Sequence, residues 1–520
     1  MNWNHGTNGL LISYAISVAA LFLGLLLGRA PASRLLLSPV IAIPVLIIAV
    51  ILWTAMAGLL KAMAISANLI PYLGLIFIAV FLGLAGKLYA KLPEKKTHKR
   101  GTLLEETAPP ARGISHPGSL TLAGQPVSEG DETKHFKIIG TTGTGKSTAI
   151  RELLTGALGR GDRAVIADPD GSYLKRFYDP HRGDQILNPF DSRAARWNLF
   201  GEMTTLHDAD QLSRSLIADA EGNEGPWRNY ARVFLTSLLR QLHRVKHHDV
   251  GELYGLISTT PVDDLRDLLA DTPAGAYLSQ DNGRFFSGVR AVANTHLSVL
   301  EHVALQSARE SLSVRDWIRT GHGVLFLPYK ANEIATLSSI ISTWMRLAIF
   351  ETMNNDDSQG QSDQSPGRRL WFGIDELDAL GPIDGLKDAL ARLRKFGGRC
   401  ILGLQSIAQA SGTYGRAEAQ TIVENCGNTL ILRCSASEGG GTARFASGLI
   451  GEREIMREQV TNSRGGGMLL ARNHRSVSTS TQHVTESAVL ASEIEQLPDL
   501  QGFLKFASQP EWKRVQLSIN

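Results

Sequence analysis

Cysteine is scarce in this 520-residue chain, with only Cys400, Cys426 and Cys434, and no pair has C-x-x-C spacing. That excludes a disulfide framework and suits buried thiols in a reducing compartment. A metal centre is not expected either. His243, His247 and His248 have helical spacing but read as a solvated basic helix end. Charge of one sign is also in short supply, since a formal net charge of +3 does not argue for nucleic acid unless basic residues cluster locally. Met1 to Gly9 carries no Lys or Arg, so the front of the chain lacks the basic start of a secretory signal. No internal repeat is present.

What the front does hold is apolar sequence. Leu10 to Gly28 has no charged residue, and Leu35 to Gly86 has only Lys61. The first run is about long enough for one membrane crossing and the second for two, with a turn near Lys61. Pro39, Pro44 and Pro71 fall in the second block and can kink or break helices there, so two and three crossings both fit. Lys87, Lys91, Lys95, Lys96, Lys99 and Arg100 follow at once, which places everything downstream in the cytoplasm. Arg29 and Arg34 also prefer the inside. Three crossings with an outside N-terminus satisfy both clusters.

Two motifs carry chemistry. Gly140-Thr141-Thr142-Gly143-Thr144-Gly145-Lys146-Ser147, followed by Thr148, fits the phosphate-binding loop pattern G-x-x-x-x-G-K-[ST]. A strand-like run from His135 enters it and a helix-like run to Leu158 leaves it. Glycines let backbone N–H groups wrap phosphate oxygens. Lys146 supplies charge for the β- and γ-phosphates, and Ser147 a hydroxyl ligand for Mg²⁺. The helix behind them points its positive end at the anion. Far downstream, the apolar run Leu370 to Ile374 ends in Asp375-Glu376, as a Walker B strand does. Asp375 is placed to hold Mg²⁺ and Glu376 to polarise the attacking water. ATP and Mg²⁺ are the implied cofactors. Asp168, closing Ala164 to Ala167, is a competing Walker B candidate, but Pro169-Asp170-Gly171 follows it with no adjacent glutamate. It reads as a turn after a neighbouring strand.

Gly101 to Gly130 is rich in Pro, Gly, Ser and Thr and reads as a connector, with one edge strand near Leu120 to Leu122. Short β-branched runs then alternate with helical ones, the start of a doubly wound α/β sheet. From Leu199 to Arg309 only helical periodicity remains, and strands return at Gly323 to Leu327, Leu370 to Ile374, Cys400 to Leu404 and Thr429 to Arg433. The expected domains are a transmembrane anchor over 1–90, a basic juxtamembrane segment and linker over 91–130, a nucleotide-binding domain over 131–198 plus 310–520, and an inserted all-α domain over 199–309. The polar stretch Asn354 to Gly367 reads as a mobile loop.

In order and spacing, these blocks resemble the type IV coupling proteins of conjugative plasmids, the TraG/TraD-like ATPases. The resemblance runs from about Ala123 to the C-terminus. It rests on GTTGTGKST at Gly140 to Thr148, GDRAVIADPDG at Gly161 to Gly171, ILNPFD at Ile186 to Asp191, LWFGIDEL at Leu370 to Leu377 and GLQS at Gly403 to Ser406. It implies a homo-hexameric ring of RecA-like domains on the inner-membrane face, with DNA passing through the centre. The implied partners are single-stranded DNA, with double-stranded DNA as the alternative, the relaxase and relaxosome accessory proteins, inner-membrane components of the type IV secretion channel, and membrane lipid. It further implies that Gln405 senses the γ-phosphate and that Arg394 is an arginine finger supplied to the neighbouring subunit's ATP. Arg392 and Arg399 are the nearby substitutes, and the apolar stripe Leu386, Leu390 and Leu393 leaves the solvated face of a helix as the other reading of Arg394. Arg444, Arg453, Arg464, Arg472 and Arg475, in Gly- and Ser-rich sequence suited to loops, are candidate DNA contacts.

Two features depart from the family pattern. The N-terminus reads as three apolar stretches with almost no outside loop, and the chain stops soon after Trp512, without the long acidic extension of some members. The expected activity is ATP hydrolysis that drives relaxase-bound DNA into a secretion channel. Two other readings stay open: a double-stranded DNA pump of the chromosome-partitioning type, and a membrane receptor that uses ATP binding to gate the docking of protein substrates.

Overall fold

Apolar sequence has no use for water, and among the described residues the front of the chain folds accordingly into three long helices: α1 (Asn4–Leu27), α2 (Ser38–Ala62) and α3 (Ile70–Ala90). The structure is a computed structural model and describes residues 4–28, 30, 35–62, 69–90, 97–105, 120–220, 222–306, 310–354, 369–464 and 475–519. Within α2 and α3, the stretches Ser38–Gly58 and Tyr72–Tyr89 are each long and apolar enough to cross a membrane. Pro39 and Pro71 fall in first turns, where no N–H is needed, and α2 continues through Pro44. A Cβ on Gly24 or Gly86 would strike the backbone of the facing helix, so α1 and α3 cross at glycine contacts, as small residues allow in lipid. Ile43, Ile47, Ile51, Ile76, Val80 and Leu84 face outward.

The chain forms two compact units, Met1–Thr97 and His98–Asn520. In the second, ten strands among the described residues make one sheet: β1 (Leu104–Glu105), β2 (Phe136–Ile139), β3 (Arg163–Pro169), β4 (Gln185–Ile186), β5 (Val324–Tyr329), β6 (Leu370–Ile374), β7 (Gly398–Leu404), β8 (Asn428–Ile431), β9 (Gln501–Lys505) and β10 (Trp512–Gln516). Their spatial order is β1-β10-β9-β8-β2-β7-β6-β3-β5-β4. From β8 to β4 all neighbours are parallel, and β9 runs antiparallel to both of its neighbours. Every residue of β2, β5, β6 and β7 is buried, which is why these strands read as apolar runs, broken only by Lys137 in β2 and Arg399 in β7. Alternate residues serve opposite faces. Ile138, Ile166, Trp371 and Ile401 pack with Ile150, Leu153 and Leu154 of the P-loop helix, α4 (Lys146–Gly159). Ile139, Val165, Phe372 and Leu402 pack on the other side, against the long helix α6 (Ile334–Asn354) and the inserted helices.

Between Arg196–Trp197 and Ser311–Leu312 the chain builds six α-helices among the described residues: Leu206–Leu216, Glu224–Arg244, Val250–Ser258, Val262–Leu269, Gly283–Leu297 and Val299–Ala304. Entry and exit run side by side, because Arg196–Trp197 pairs in parallel with Ser311–Leu312. Glu202 is 1% exposed and ties the two crossings together, accepting from the Trp197 indole (2.9 Å) and from the Val314 and Arg315 backbone N–H groups (2.6 and 2.9 Å).

Three expectations need correction or comment. In the connector after the membrane helices, the strand expected near Leu120 to Leu122 is present as Thr121–Leu122, in a small hairpin with Gln125–Pro126, whereas Leu104–Glu105, not expected as a strand, joins the main sheet through Trp512 and Lys513. Near the C-terminus, Glu452–Arg464 and Arg475–Ser487 make a long antiparallel pair where loops were expected, the second strand being rich in β-branched Thr and Val; the glycines between them lie outside the described residues. The expected mobile loop lies outside the described residues beyond Asn354.

Candidate nucleotide-binding and hydrolysis site

The parallel order brings the two motifs together. β7 lies between the P-loop strand β2 and the Walker B strand β6, with Leu404 opposite Ile139 and Leu402 opposite Ile374. Their C-terminal ends therefore deliver the loop 140–145, Asp375-Glu376 and Gln405 to one edge of the sheet, where open α/β sheets bind ligands. A cavity of about 430 Å³ lies there, lined by Thr142, Gly143, Gly145 to Thr148, Asp375, Glu376 and Gln405 among others. A larger cleft, of about 500 Å³, opens beyond β3 and β5. It has no phosphate-binding loop, so the smaller cavity is the site.

The loop needs its glycines at specific places. Gly143 and Gly145 have left-handed backbones (φ 78° and 115°), and a Cβ on Gly140 would meet Leu432 and Thr144 at 2.8 Å. The loop is held from outside by Thr141 N–H on the Arg433 carbonyl (2.9 Å), Leu500 N–H on the Thr144 carbonyl (2.9 Å) and Gly140 N–H on the Leu404 carbonyl (3.1 Å). Lys146 is buried and donates to the carbonyls of Gly140 (2.9 Å) and Thr141 (3.2 Å). Burial lowers its pKa, and the Asp375 and Glu376 carboxylates oppose that shift.

Ser147 Oγ donates to Asp375 Oδ2 at 2.7 Å. The other oxygen, Asp375 Oδ1, is buried with no hydrogen-bond partner among the described residues. A buried, orphaned carboxylate oxygen beside a serine hydroxyl suits a Mg²⁺ ion with its water shell, so the residues present fit Mg²⁺ with a nucleotide. Gln405 Nε2 donates to Glu376 Oε1 at 2.9 Å. Burial, and then the adjacent Asp375 charge, raise the Glu376 pKa, the direction a proton-accepting carboxylate requires. Gln405, Asp375, Glu376, Lys146 and Ser147 are thus gathered in one site.

Arg394 is not. It precedes β7, whereas Gln405 follows it, so about 23 Å of strand separates Arg394 from its own loop. It is exposed, as is Arg392. Arg399 is removed as a finger candidate: it is 3% exposed, bonds Glu132 at 2.9 Å and stacks on Trp371. Asp168 is likewise no Walker B residue. Its carboxylate accepts the backbone N–H groups of Tyr173 (3.0 Å) and Leu174 (2.6 Å), and burial pushes its pKa up to about 6. Of the candidate DNA contacts, Arg444 is exposed and Arg453 pairs with Glu486 at 3.0 Å. Arg472 and the side chains of Arg464 and Arg475 lie outside the described residues.

Sequence reasoning missed part of the wall. Asp499, Leu500 and Ile519 line the cavity, and a Cβ on Gly145 would meet Leu500 and Leu517. Nothing in their types or spacing signals a nucleotide, because the antiparallel return through β9 and β10 brings them there.

A family profile described as the type IV secretion-system coupling protein DNA-binding domain matches residues 119–518. The coupling protein TraD of Escherichia coli (strain K12) is 28% identical over 400 residues, which cover 76% of this chain and 53% of TraD. A conjugal transfer protein TraG of Escherichia coli is 21% identical over 401 residues, 70% of this chain and 62% of TraG. This chain thus spans about half the length of the curated relatives it matches, 53% and 47% for the first two. Among solved structures, the bacterial conjugative coupling protein TrwBdeltaN70 in its unbound monoclinic form aligns with a TM-score of 0.70 at 30% identity, covering 82% of this chain and 95% of that one. TrwB in complex with ADP and Mg²⁺ aligns with a TM-score of 0.68 at 29% identity, covering 82% and 96%.

Proposed function

This chain belongs to the type IV secretion-system coupling protein family, and from that premise we propose that it is a membrane-anchored, hexameric, DNA-dependent ATPase of bacterial conjugation. It recruits the relaxosome, a relaxase with its single DNA strand, and drives both into a type IV secretion channel. The observation that carries the reading is the convergence of Lys146, Ser147, Asp375, Glu376 and Gln405 at one sheet edge, in a chain whose family match runs through the inserted helices. Residues 131–198 plus 310–520 form the RecA-like motor in this reading, 199–309 the all-α domain, and 1–90 an inner-membrane anchor that leaves the motor in the cytoplasm.

In ATP hydrolysis the loop N–H groups and Lys146 hold the phosphate chain, and Glu376 takes up a proton from the attacking water. Bound Mg²⁺, held by Ser147 and through its waters by Asp375, would neutralise charge on the β- and γ-phosphate oxygens. Gln405, bonded to Glu376, would sense the γ-phosphate through that bond. Arg394, remote from its own loop, would serve a neighbour's ATP, so turnover would require assembly.

The test is ATP turnover by the full-length protein in lipid nanodiscs at matched low salt, without DNA, with single-stranded DNA and with duplex, using Lys146→Ala as the blank. Stimulation by single-stranded DNA, rising more than linearly with protein concentration, is expected. Stimulation by duplex alone would support the chromosome-partitioning type of pump instead. Nucleotide binding with no DNA-stimulated turnover would support the gated receptor.

A further inference from the structure

β3 lies beside the Walker B strand, with Ala167 opposite Ile374, so Asp168 and Asp375 leave adjacent strands at the same level. After Asp168 the chain turns through two left-handed residues, Asp170 (φ 58°) and Gly171 (φ 64°), into the short helix α5 (Ser172–Phe177). The Asp168 carboxylate fixes the start of that helix by accepting its Tyr173 and Leu174 N–H groups. The turn aims Tyr173 inward. This side chain is fully buried, and its hydroxyl donates to Asp375 Oδ2 at 2.8 Å, the same oxygen that accepts the Ser147 hydroxyl. Arg151 of the P-loop helix lies over the Tyr173 ring at 6.0 Å.

A carboxylate can rotate about its terminal torsion, and donors on one oxygen stop that rotation. Ser147 is one such donor, and its O–H can go on donating while an oxygen lone pair binds Mg²⁺. Tyr173 is a second donor on the same oxygen, and its hold on Asp375 does not change with the metal. We propose that Tyr173 is a positioning residue for Mg²⁺: it clamps one oxygen of Asp375 and so presents the other, the unpartnered Oδ1, to the metal's water shell, with Asp168 holding the turn that aims it. Neither Tyr173 nor Asp168 belongs to a P-loop or Walker B motif. The inference rests on the nucleotide site described above and adds a second layer to it.

The test reads binding without turnover. The affinity of the full-length protein for a non-hydrolysable ATP analogue is measured while Mg²⁺ is titrated from zero. Wild type should bind more tightly as Mg²⁺ is added; if it does not, the ATPase reading fails and this inference with it. Tyr173→Phe keeps the ring and deletes one hydroxyl. Its Mg²⁺-free affinity should match wild type, while the Mg²⁺ midpoint should rise about tenfold, the loss of one hydrogen bond to a charged acceptor. An unchanged midpoint, or an equal loss with and without Mg²⁺, would overturn the proposal. Asp168→Asn retains the hydroxyl but weakens the turn, and should shift the midpoint in the same direction by less. Should Tyr173→Phe fail to fold, this second variant decides alone, and a wild-type midpoint there counts against the clamp.

Discussion

Gly403 is two residues before Gln405, on the strand between the two Walker strands, and substituting it is a sharp test of how tightly the site is built. A Cβ placed on Gly403 would fall inside the van der Waals shell of the Asp375 carbonyl oxygen, well under the 3.0 Å that real Cβ atoms keep. The obstacle is backbone, not a side chain that can swing away. β6 and β7 are in register here, and the Leu377 N–H donates to the Gly403 carbonyl at 3.2 Å, so the Walker B turn cannot retreat without breaking that bond. In Gly403→Ala, Asp375 must move back by about 1 Å to restore ordinary contact. Overpacking of this kind costs about 1–3 kcal/mol of stability, and a misplacement of about 1 Å at a catalytic group costs about a hundredfold in rate. The assay is paired: thermal melting, and ATP turnover at saturating DNA. The lesion is confined to the Walker B side, so Mg²⁺-free nucleotide binding through the loop should survive. A variant with wild-type melting and turnover would show that the strand spacing at Asp375 is looser than the structure has it.

Mixing inactive subunits tests Arg394. Arg394→Ala and Lys146→Ala should each abolish DNA-stimulated turnover alone, yet a 1:1 mixture should recover about a quarter of it, because that share of head-to-tail interfaces pairs an intact loop with an intact arginine. No recovery would place the arginine's role elsewhere. At the base of the inserted helices, burial pushes the Glu202 pKa from 4.5 up to about 7. A raised acid pKa means the associated stability is fully present below about pH 4.5 and is lost as pH rises through 7, about 3 kcal/mol in all. Glu202→Gln removes this slope but offers one acceptor oxygen to the indole and backbone donors. It should therefore melt well below wild type at pH 5 and converge on it by pH 8, and a constant gap across that range would refute the assignment.

Local chemistry was legible in the chain wherever function demands particular residue types in a short run. The loop Gly140 to Ser147 must bring bare backbone to phosphates, and Asp375-Glu376 must follow an apolar strand, so both could be found without a fold. The apolar runs before Lys87 announced helices but left two and three of them open, and the loss of strand periodicity after Leu199 announced the inserted ones. Contacts between distant segments were not legible. Lys137 interrupts the apolar P-loop strand for no local reason; it is buried and donates to the Val423 and Cys426 carbonyls at the end of the helix Arg416–Asn425, which only the packing of that helix against β2 explains. Arg392, Arg394 and Arg399 looked interchangeable as sequence, and burial separated the last from the other two. Asp168 and Asp375 looked like rivals for one role, and the sheet order made them neighbours with Tyr173 spanning the gap. Residue type is chosen by chemistry at a single position and can be read there, whereas a partner is chosen by strand order and by the return of the chain through β9 and β10, and these exist only once the sheet has formed.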